Sequence, residues 1–328
     1  MRALVTGCAG FIGSHLTESL LDDGHEVLGI DCFNDNYRRA PKLANLQRAR
    51  QYDSFEFVPI DLARGDLIDI VAERDVIFHL AAEPGVRTSW GDRFELFVRN
   101  NMLATQRLLE ATAAEPPRRF VYASSSSIYG NAERLPTPES AVPAPFSPYG
   151  VTKLGGEHLC QLYHSNHGLD TVALRYFTVY GPRQRPDMAL HRFCRAAVSA
   201  EPITVFGDGT QRRDFTFVED VVAATRAAAT AADVGGRAYN IGGGSQVSLQ
   251  RVLELLAGLA ARPLDVRHTR TEAGDVRETS ADTSHAACEL GYAPATTFEE
   301  GLRAEFEWMV ERLANQPEPD MARAGAAR

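Results

Sequence analysis

The chain is short of lysine. Of its 34 basic side chains only Lys42 and Lys153 are lysine; all the others are arginine. Arginine is a planar fork that stays charged, whereas lysine is a compact point charge on a flexible stem. A position that keeps lysine here therefore asks for the ammonium itself. Positive charge as a whole is also in deficit: the net charge is −9, which argues against a nucleic-acid partner, since that asks for a basic surface. An anionic ligand must instead be met by a local arginine cluster. No apolar run reaches the roughly 18 residues of a membrane-spanning helix. The opening MRALVTG goes straight into a strand, with no room for a signal peptide. The five cysteines, Cys8, Cys32, Cys160, Cys194 and Cys288, are scattered without a CxxC pair, the pattern of reduced thiols in a cytoplasmic protein. His164 and His167 are the closest histidine pair, and no carboxylate or cysteine joins them at ligand spacing, so no metal is expected.

What is present is a regular alternation. RALVT, EVLGI, FEFVPI, DVIFHLAA, RRFVYASS and TVALRY read as buried strands, separated by helical patterns near 11–23, 40–51, 92–114 and 149–167. Strict alternation predicts an α/β fold of the Rossmann type, a doubly wound parallel sheet with ligands at the strands' C-terminal edge. After Tyr176 the pattern changes to short strands (ITVFG, RRDFTFV, RAYNI, LDVRH) and helices near 189–200, 218–232, 248–260 and 298–313. The expected organisation is a dinucleotide-binding domain over 1–176, joined by part of 217–242, a smaller mixed α/β substrate lobe over 177–316, and a disordered tail over 317–328.

The first strand runs into Gly7-Cys8-Ala9-Gly10-Phe11-Ile12-Gly13 and then a helix. Such glycines permit a tight turn and close approach of a pyrophosphate, which the helix N-terminus attracts. The second strand ends in Asp31, 18 residues past Gly13. A carboxylate there accepts both ribose hydroxyls of NAD and repels the extra phosphate of NADP. Asp61 and Leu62, after the third strand, are placed to reach the adenine, and Leu80, Ala81 and Ala82 line the cofactor's other side.

The fifth strand ends in Ser124 to Ser127. Tyr149 lies 24 residues after Ser125, and Lys153 one helical turn beyond it. A free tyrosine titrates near pH 10, too high for a general base at neutral pH. A nearby ammonium and the positive nicotinamide ring favour the phenolate and bring that value down. Ser125 can hydrogen-bond the phenol and the reacting hydroxyl.

With GCAGFIG, Asp31, HLAA, the serine run, Tyr149-x-x-x-Lys153, RYFTVYGP and RDFTFVED in place, the chain resembles the extended short-chain dehydrogenase/reductases, in particular the nucleotide-sugar epimerase/dehydratase family, over about residues 1–313. The resemblance implies a resident NAD that oxidises a sugar hydroxyl at C4 and later returns the hydride. It adds Asn34, Asn101 and Tyr176 to the cofactor contacts and implies a homodimer through the helices near 92–114 and 149–167. Related dehydratases place Asp-Glu, and decarboxylases a glutamate, just after the catalytic Ser/Thr; here stand Ser126 and Ser127, which do not titrate in range. What remains is C4 epimerisation. Thr178 followed by Arg-Pro-Asp resembles the UDP-glucuronate 4-epimerases. Arg185 is expected to fork onto a C6 carboxylate, with Ser127 and Thr178 donating neutral hydroxyl bonds. Arg213 and Arg277 are expected at the diphosphate, Phe206 and Asn240 near the uracil, and Arg87 at the sugar or phosphate. Gln184 and Pro84 depart from the usual pattern. The alternatives are UDP-glucose/UDP-galactose epimerisation, then a decarboxylase or 4,6-dehydratase, and, outside catalysis, an NAD-binding redox sensor.

Overall fold

A computed structural model describes residues 1–270 and 276–315. The expected tail lies outside the described residues. The strands are β1 (Arg2–Thr6), β2 (Glu26–Ile30), β3 (Phe55–Val58), β4 (Val76–His79), β5 (Arg119–Ser125), β6 (Thr171–Tyr176), β7 (Thr178–Tyr180), β8 (Ile203–Phe206), β9 (Arg212–Phe217), β10 (Arg237–Ile241), β11 (Gln246–Ser248) and β12 (Val266–Thr269). Seven of them form one parallel sheet in the order β10-β6-β5-β4-β1-β2-β3.

Helices cover both faces, which is why β4 and β6 are buried along their whole length and read as unbroken apolar runs. Helices Phe11–Asp22 and Val218–Thr230 pack together in one core layer, which holds Leu16, Leu20, Val221 and Ala228. Helices Ala104–Ala114 and Pro148–His167 share the other, around Leu108, Leu109, Cys160 and Tyr163. Strand order reverses between β1 and β4, and the crevice beyond their C-terminal ends is where this topology binds ligands.

The helix expected over 92–114 is not uniform. Between Phe94–Phe97 and Ala104–Ala114 the backbone widens into a π-helical stretch, Val98–Leu103. Such stretches concentrate at functional sites. The pattern expected as one helix over 40–51 is Arg39–Asn45 plus a 3-10 turn, Ala49–Gln51. Outside the seven-stranded sheet lie a three-stranded sheet (β11-β9-β7) and a parallel pair (β12-β8), with helices Ala189–Ser199, Leu249–Leu259 and Phe298–Asn315 packed beside them. Buried Glu305 on the last helix accepts the Gly181 N–H at 2.9 Å and so anchors the start of the loop that carries Arg185.

No helix among the described residues is long and apolar enough to cross a membrane. None of their His, Cys, Asp or Glu side chains form a group of three or more placed to hold a metal ion.

Candidate active site

The crevice at the reversal is an open cleft. Its first wall is the turn after β1. Gly7 has φ +71°, and a Cβ on Gly13 would stand 2.2 Å from the Gly7 carbonyl oxygen. Only a bare backbone fits that cradle, so the helix N-terminus comes close to whatever lies in it. Gly10, Phe11 and Ile12 line the same wall.

Opposite stands the loop after β4. His79 is buried, with Nδ1 2.8 Å from Thr6 Oγ1 and Nε2 2.9 Å from Thr105 Oγ1. Burial pushes its pKa down to about 3, so it is neutral. Thr6 Oγ1 in turn accepts the N–H groups of Leu80 and Ala81 at 3.1 and 3.0 Å. This histidine therefore fixes the loop whose Leu80, Ala81 and Ala82 face the cleft.

Asp31, Asn34, Asp61 and Leu62 line the far end. Burial raises the Asp31 carboxyl, opposed by the Phe33 backbone N–H and by Lys42. Sequence reasoning had passed over Lys42. Its ammonium is buried in this wall and donates to the Asn34 carbonyl at 2.7 Å and to Asn34 Oδ1 at 2.5 Å. Both lysines of the chain thus face one cleft, and their scarcity was the signal that could have found the second.

The third wall is helix Pro148–His167, which carries Tyr149 and Lys153. Ser147 caps it by accepting the Gly150 N–H at 3.1 Å, Pro148 opens it, and Gly168 at φ +68° ends it. A Cβ at Gly150 would lie 2.5 Å from the Ser127 carbonyl oxygen, so glycine lets the helix start rest on the turn Ser126–Ile128. That contact brings Tyr149 to Ser125. Burial raises the Tyr149 phenol above its ordinary value; the Arg185 guanidinium and a hydrogen bond with Ser125 oppose the rise. Ser125 Oγ also accepts the Ser127 N–H at 3.2 Å.

Lys153 Nζ lies 4.8 Å from the centre of the Tyr122 ring, and burial pushes its pKa down to about 8 against Cys160 and the Glu157 carboxylate. Arg185, which the sequence reading does not assign to the Tyr149 phenol, is thus a cation acting on it beside the expected Lys153, and both line the cleft with Tyr149. Tyr176, at the end of β6, closes this side, its hydroxyl 2.7 Å from Thr225 Oγ1.

Arg185 lines the same cleft. Its Nε and Nη2 donate to Asp187 at 3.0 and 2.9 Å, the side-on edge of the fork. The end-on edge is the one a second carboxylate would meet. Arg183 points elsewhere, onto Glu18 at 2.9 and 3.0 Å. Gln184 is buried, donating to the Val179 carbonyl and accepting the His191 N–H.

The remaining expected positions divide. Arg87 lies over the Phe206 ring at 4.3 Å, so these two stand together. Arg213 donates to the Arg277 carbonyl at 3.1 Å, so these two also stand together. Thr178, Ser126 and Ser127 are half-buried around the turn and the start of β7. Of the expected site residues, Arg87, Asn101, Ser125, Ser126, Ser127, Thr178, Phe206, Arg213, Asn240 and Arg277 do not line the cleft, and Ser124 lines it where Ser125 is expected. Asn240, expected at the uracil, is buried in β10 with its amide accepting from Tyr129 at 2.7 Å and donating to the Thr137 carbonyl at 2.9 Å. Asn101, expected at the cofactor, accepts the Glu83 N–H at 2.6 Å and donates to the Glu83 carbonyl and to Thr152 Oγ1 at 3.0 and 2.9 Å. Its neighbour Asn100 faces the cleft instead.

A parallel sheet with a glycine cradle, an acid at the end of β2 and a Ser–Tyr–Lys wall defines an NAD-dependent enzyme of the short-chain dehydrogenase/reductase class. The model of the NAD dependent epimerase/dehydratase family matches residues 3–242, and the chain belongs to that family. It is 44% identical over 310 residues to an uncharacterized UDP-glucose epimerase of Bacillus subtilis, covering 94% of this chain and 98% of that one. It is 37% identical over 314 residues to the UDP-glucuronate 4-epimerase of Thermodesulfobacterium geofontis, covering 94% and 96%. Its fold superposes, with a TM-score of 0.93 and 42% identity, on the UDP-glucuronic acid 4-epimerase of Bacillus cereus in complex with UDP-glucuronic acid and NAD, covering 95% of this chain and all of that one.

Proposed function

We propose that this protein is an NAD-dependent C4-epimerase that interconverts UDP-glucuronic acid and UDP-galacturonic acid. The observation that carries the reading is Arg185: it lines the same cleft as Tyr149, and the turn after Ser125 has serines where an acid would be needed for dehydration or decarboxylation. The relatives that act on UDP-glucuronate support the same substrate.

The cradle leaves room for a dinucleotide's phosphates, and Asp31 is placed for the adenosine ribose, so the residues fit NAD. When bound, NAD supplies the acceptor and later the donor of the C4 hydride. Tyr149, as phenolate, takes the C4 hydroxyl proton, and Ser125 holds that hydroxyl and the phenol in line. Arg185 favours the phenolate by its charge, and Lys153 adds a second cation at the same wall. The 4-keto sugar then turns about its diphosphate tether, and Tyr149 returns the proton when the other face is reduced.

Arg185 has a second task. A 4-ketoglucuronate is a β-keto acid, and holding its carboxylate near the plane of the ketone keeps the breaking bond out of conjugation and slows loss of CO2. Arg213 and Arg277 are assigned to the diphosphate, Phe206 to the base, and Arg87 to the sugar or phosphate. A homodimer fits the apolar residues exposed on the two helices beside the cleft, with Leu103, Val151 and Leu162 at 45%, 47% and 55% exposure. A cytoplasmic location fits the five free cysteines.

Incubation with UDP-glucuronate and, separately, UDP-glucose, followed by NMR of the product sugar, tests the reading. The expected result is UDP-galacturonate from the first and far slower turnover of the second. Run in D2O, the product should carry no deuterium at C5. Deuterium there would mean an enolisation step and a dehydratase-like course.

A further inference from the structure

Glu83 is a buried carboxylate that the mechanism above leaves without a role. It does not line the cleft, although its neighbours Ala82 and Pro84 do. Its Oε2 accepts from Asn34 Nδ2 at 2.6 Å and from Asn100 Nδ2 at 3.5 Å, and its Oε1 is 3.2 Å from Arg93 Nη2. Asn34 is the residue that Lys42 grips, so the whole adenosine-side segment from Asp31 to Lys42 is tied to Glu83 through one amide. The backbone of Glu83 is held as firmly from the other side. Asn101, in the π-helical stretch, brackets its N–H and carbonyl and reaches Thr152 on the catalytic helix, whose hydroxyl donates to the Tyr149 carbonyl at 2.8 Å.

We propose that Glu83 is a positioning residue that sets how long the protein retains NAD, by latching the Asp31–Lys42 segment to the π-helical stretch beneath the catalytic helix. The argument is one of geometry. A segment that covers one half of a ligand retains it only while it stays closed, and this segment's loop meets the β4 side through the Asn34–Glu83 contact. The contact is charge-assisted and partly buried, with the carboxylate itself buried, so its loss leaves a buried acceptor short of a donor. Burial raises the Glu83 carboxyl, while Arg93, Asn100, Asn34 and Lys42 oppose the rise, so the surroundings are arranged to keep an acceptor there.

The proposal rests on NAD occupying the cleft, and the experiment separates the two. Wild type, Glu83→Gln and Glu83→Ala are purified as holoenzymes, and release of NAD after dilution is followed by chromatography of the filtrate. Release should be about tenfold faster in Glu83→Gln, which keeps one acceptor oxygen, and about a hundredfold faster in Glu83→Ala. Turnover with saturating NAD added should fall less than threefold in Glu83→Gln. In an Asn34→Ala background, Glu83→Gln should change release no further, because the partner is already gone. If Glu83→Ala does not fold, Glu83→Gln and the double variant carry the test. Release at the wild-type rate, additive effects with Asn34→Ala, or a turnover loss at saturating NAD as large as the retention loss would each overturn the latch. A wild-type protein that neither carries nor binds NAD would overturn the cofactor reading and the latch together.

Discussion

Replacing Arg185 by alanine removes two things at once, and a pair of substrates separates them. The first is the cation that opposes burial at the Tyr149 phenol. Its loss raises the phenol further and lowers turnover of any sugar at neutral pH, moving the rising limb of the pH profile to higher pH. The second is the end-on edge of the fork, which only a substrate carboxylate uses. One charge-assisted hydrogen bond contributes about 1.5–3 kcal/mol, a factor of roughly 10 to 150. In the ratio of kcat/KM for UDP-glucuronate to that for UDP-glucose the first effect cancels, so Arg185→Ala should lower that ratio by the second factor alone. Asp187 stays behind in both cases, losing the guanidinium that now holds its carboxyl below the ordinary value; that cost also is common to both sugars. The variant should in addition release CO2 and a 4-keto-pentose from UDP-glucuronate, detectable by NMR. An unchanged ratio with equal losses on both sugars would refute the carboxylate assignment and move the substrate to UDP-glucose and UDP-galactose.

Tyr149→Phe should fold and keep NAD, as read by absorbance of the denatured holoenzyme, while turnover falls by several orders of magnitude, because the ring remains and the base does not. Lys153→Arg should also be severely impaired, since a guanidinium cannot reproduce a compact ammonium in a buried place; near-normal kcat would refute that. Lys153 keeps its charge below about pH 8 and loses it above, so the free-enzyme pH profile should fall on its alkaline side near there. Glu157→Gln, which removes an opposing charge, should move that fall to lower pH. Glu305 is a stability prediction: burial pushes its carboxyl up to about 8 from 4.5. The folded chain therefore holds a proton that the unfolded chain releases, and stability should decline as pH rises between those values. Melting temperatures from pH 5 to 9 should fall less in Glu305→Gln than in the wild type.

The sequence by itself determined whatever depends on local spacing. The cradle, the acid at the end of β2 and the Tyr149–Lys153 pair were legible because a strand–turn–helix unit and a one-turn helical spacing are properties of a few consecutive residues. The apolar runs of the first half likewise determined a parallel sheet, since strands covered on both faces cannot alternate. Contacts between distant residues were decided by tertiary structure alone. Arg183 and Arg185 stand two apart in one loop, yet one is bound to Glu18 and the other lines the cleft with Tyr149. Asn240 lies near the C-terminal end of its strand, where a ligand residue is expected, but Tyr129 and Thr137 take up its amide. Lys42 has no partner legible in the sequence, and the fold turns it onto Asn34 and the cleft. In each case the side chain's partner is set by which elements the packed core brings together, and that is information no short window of sequence contains.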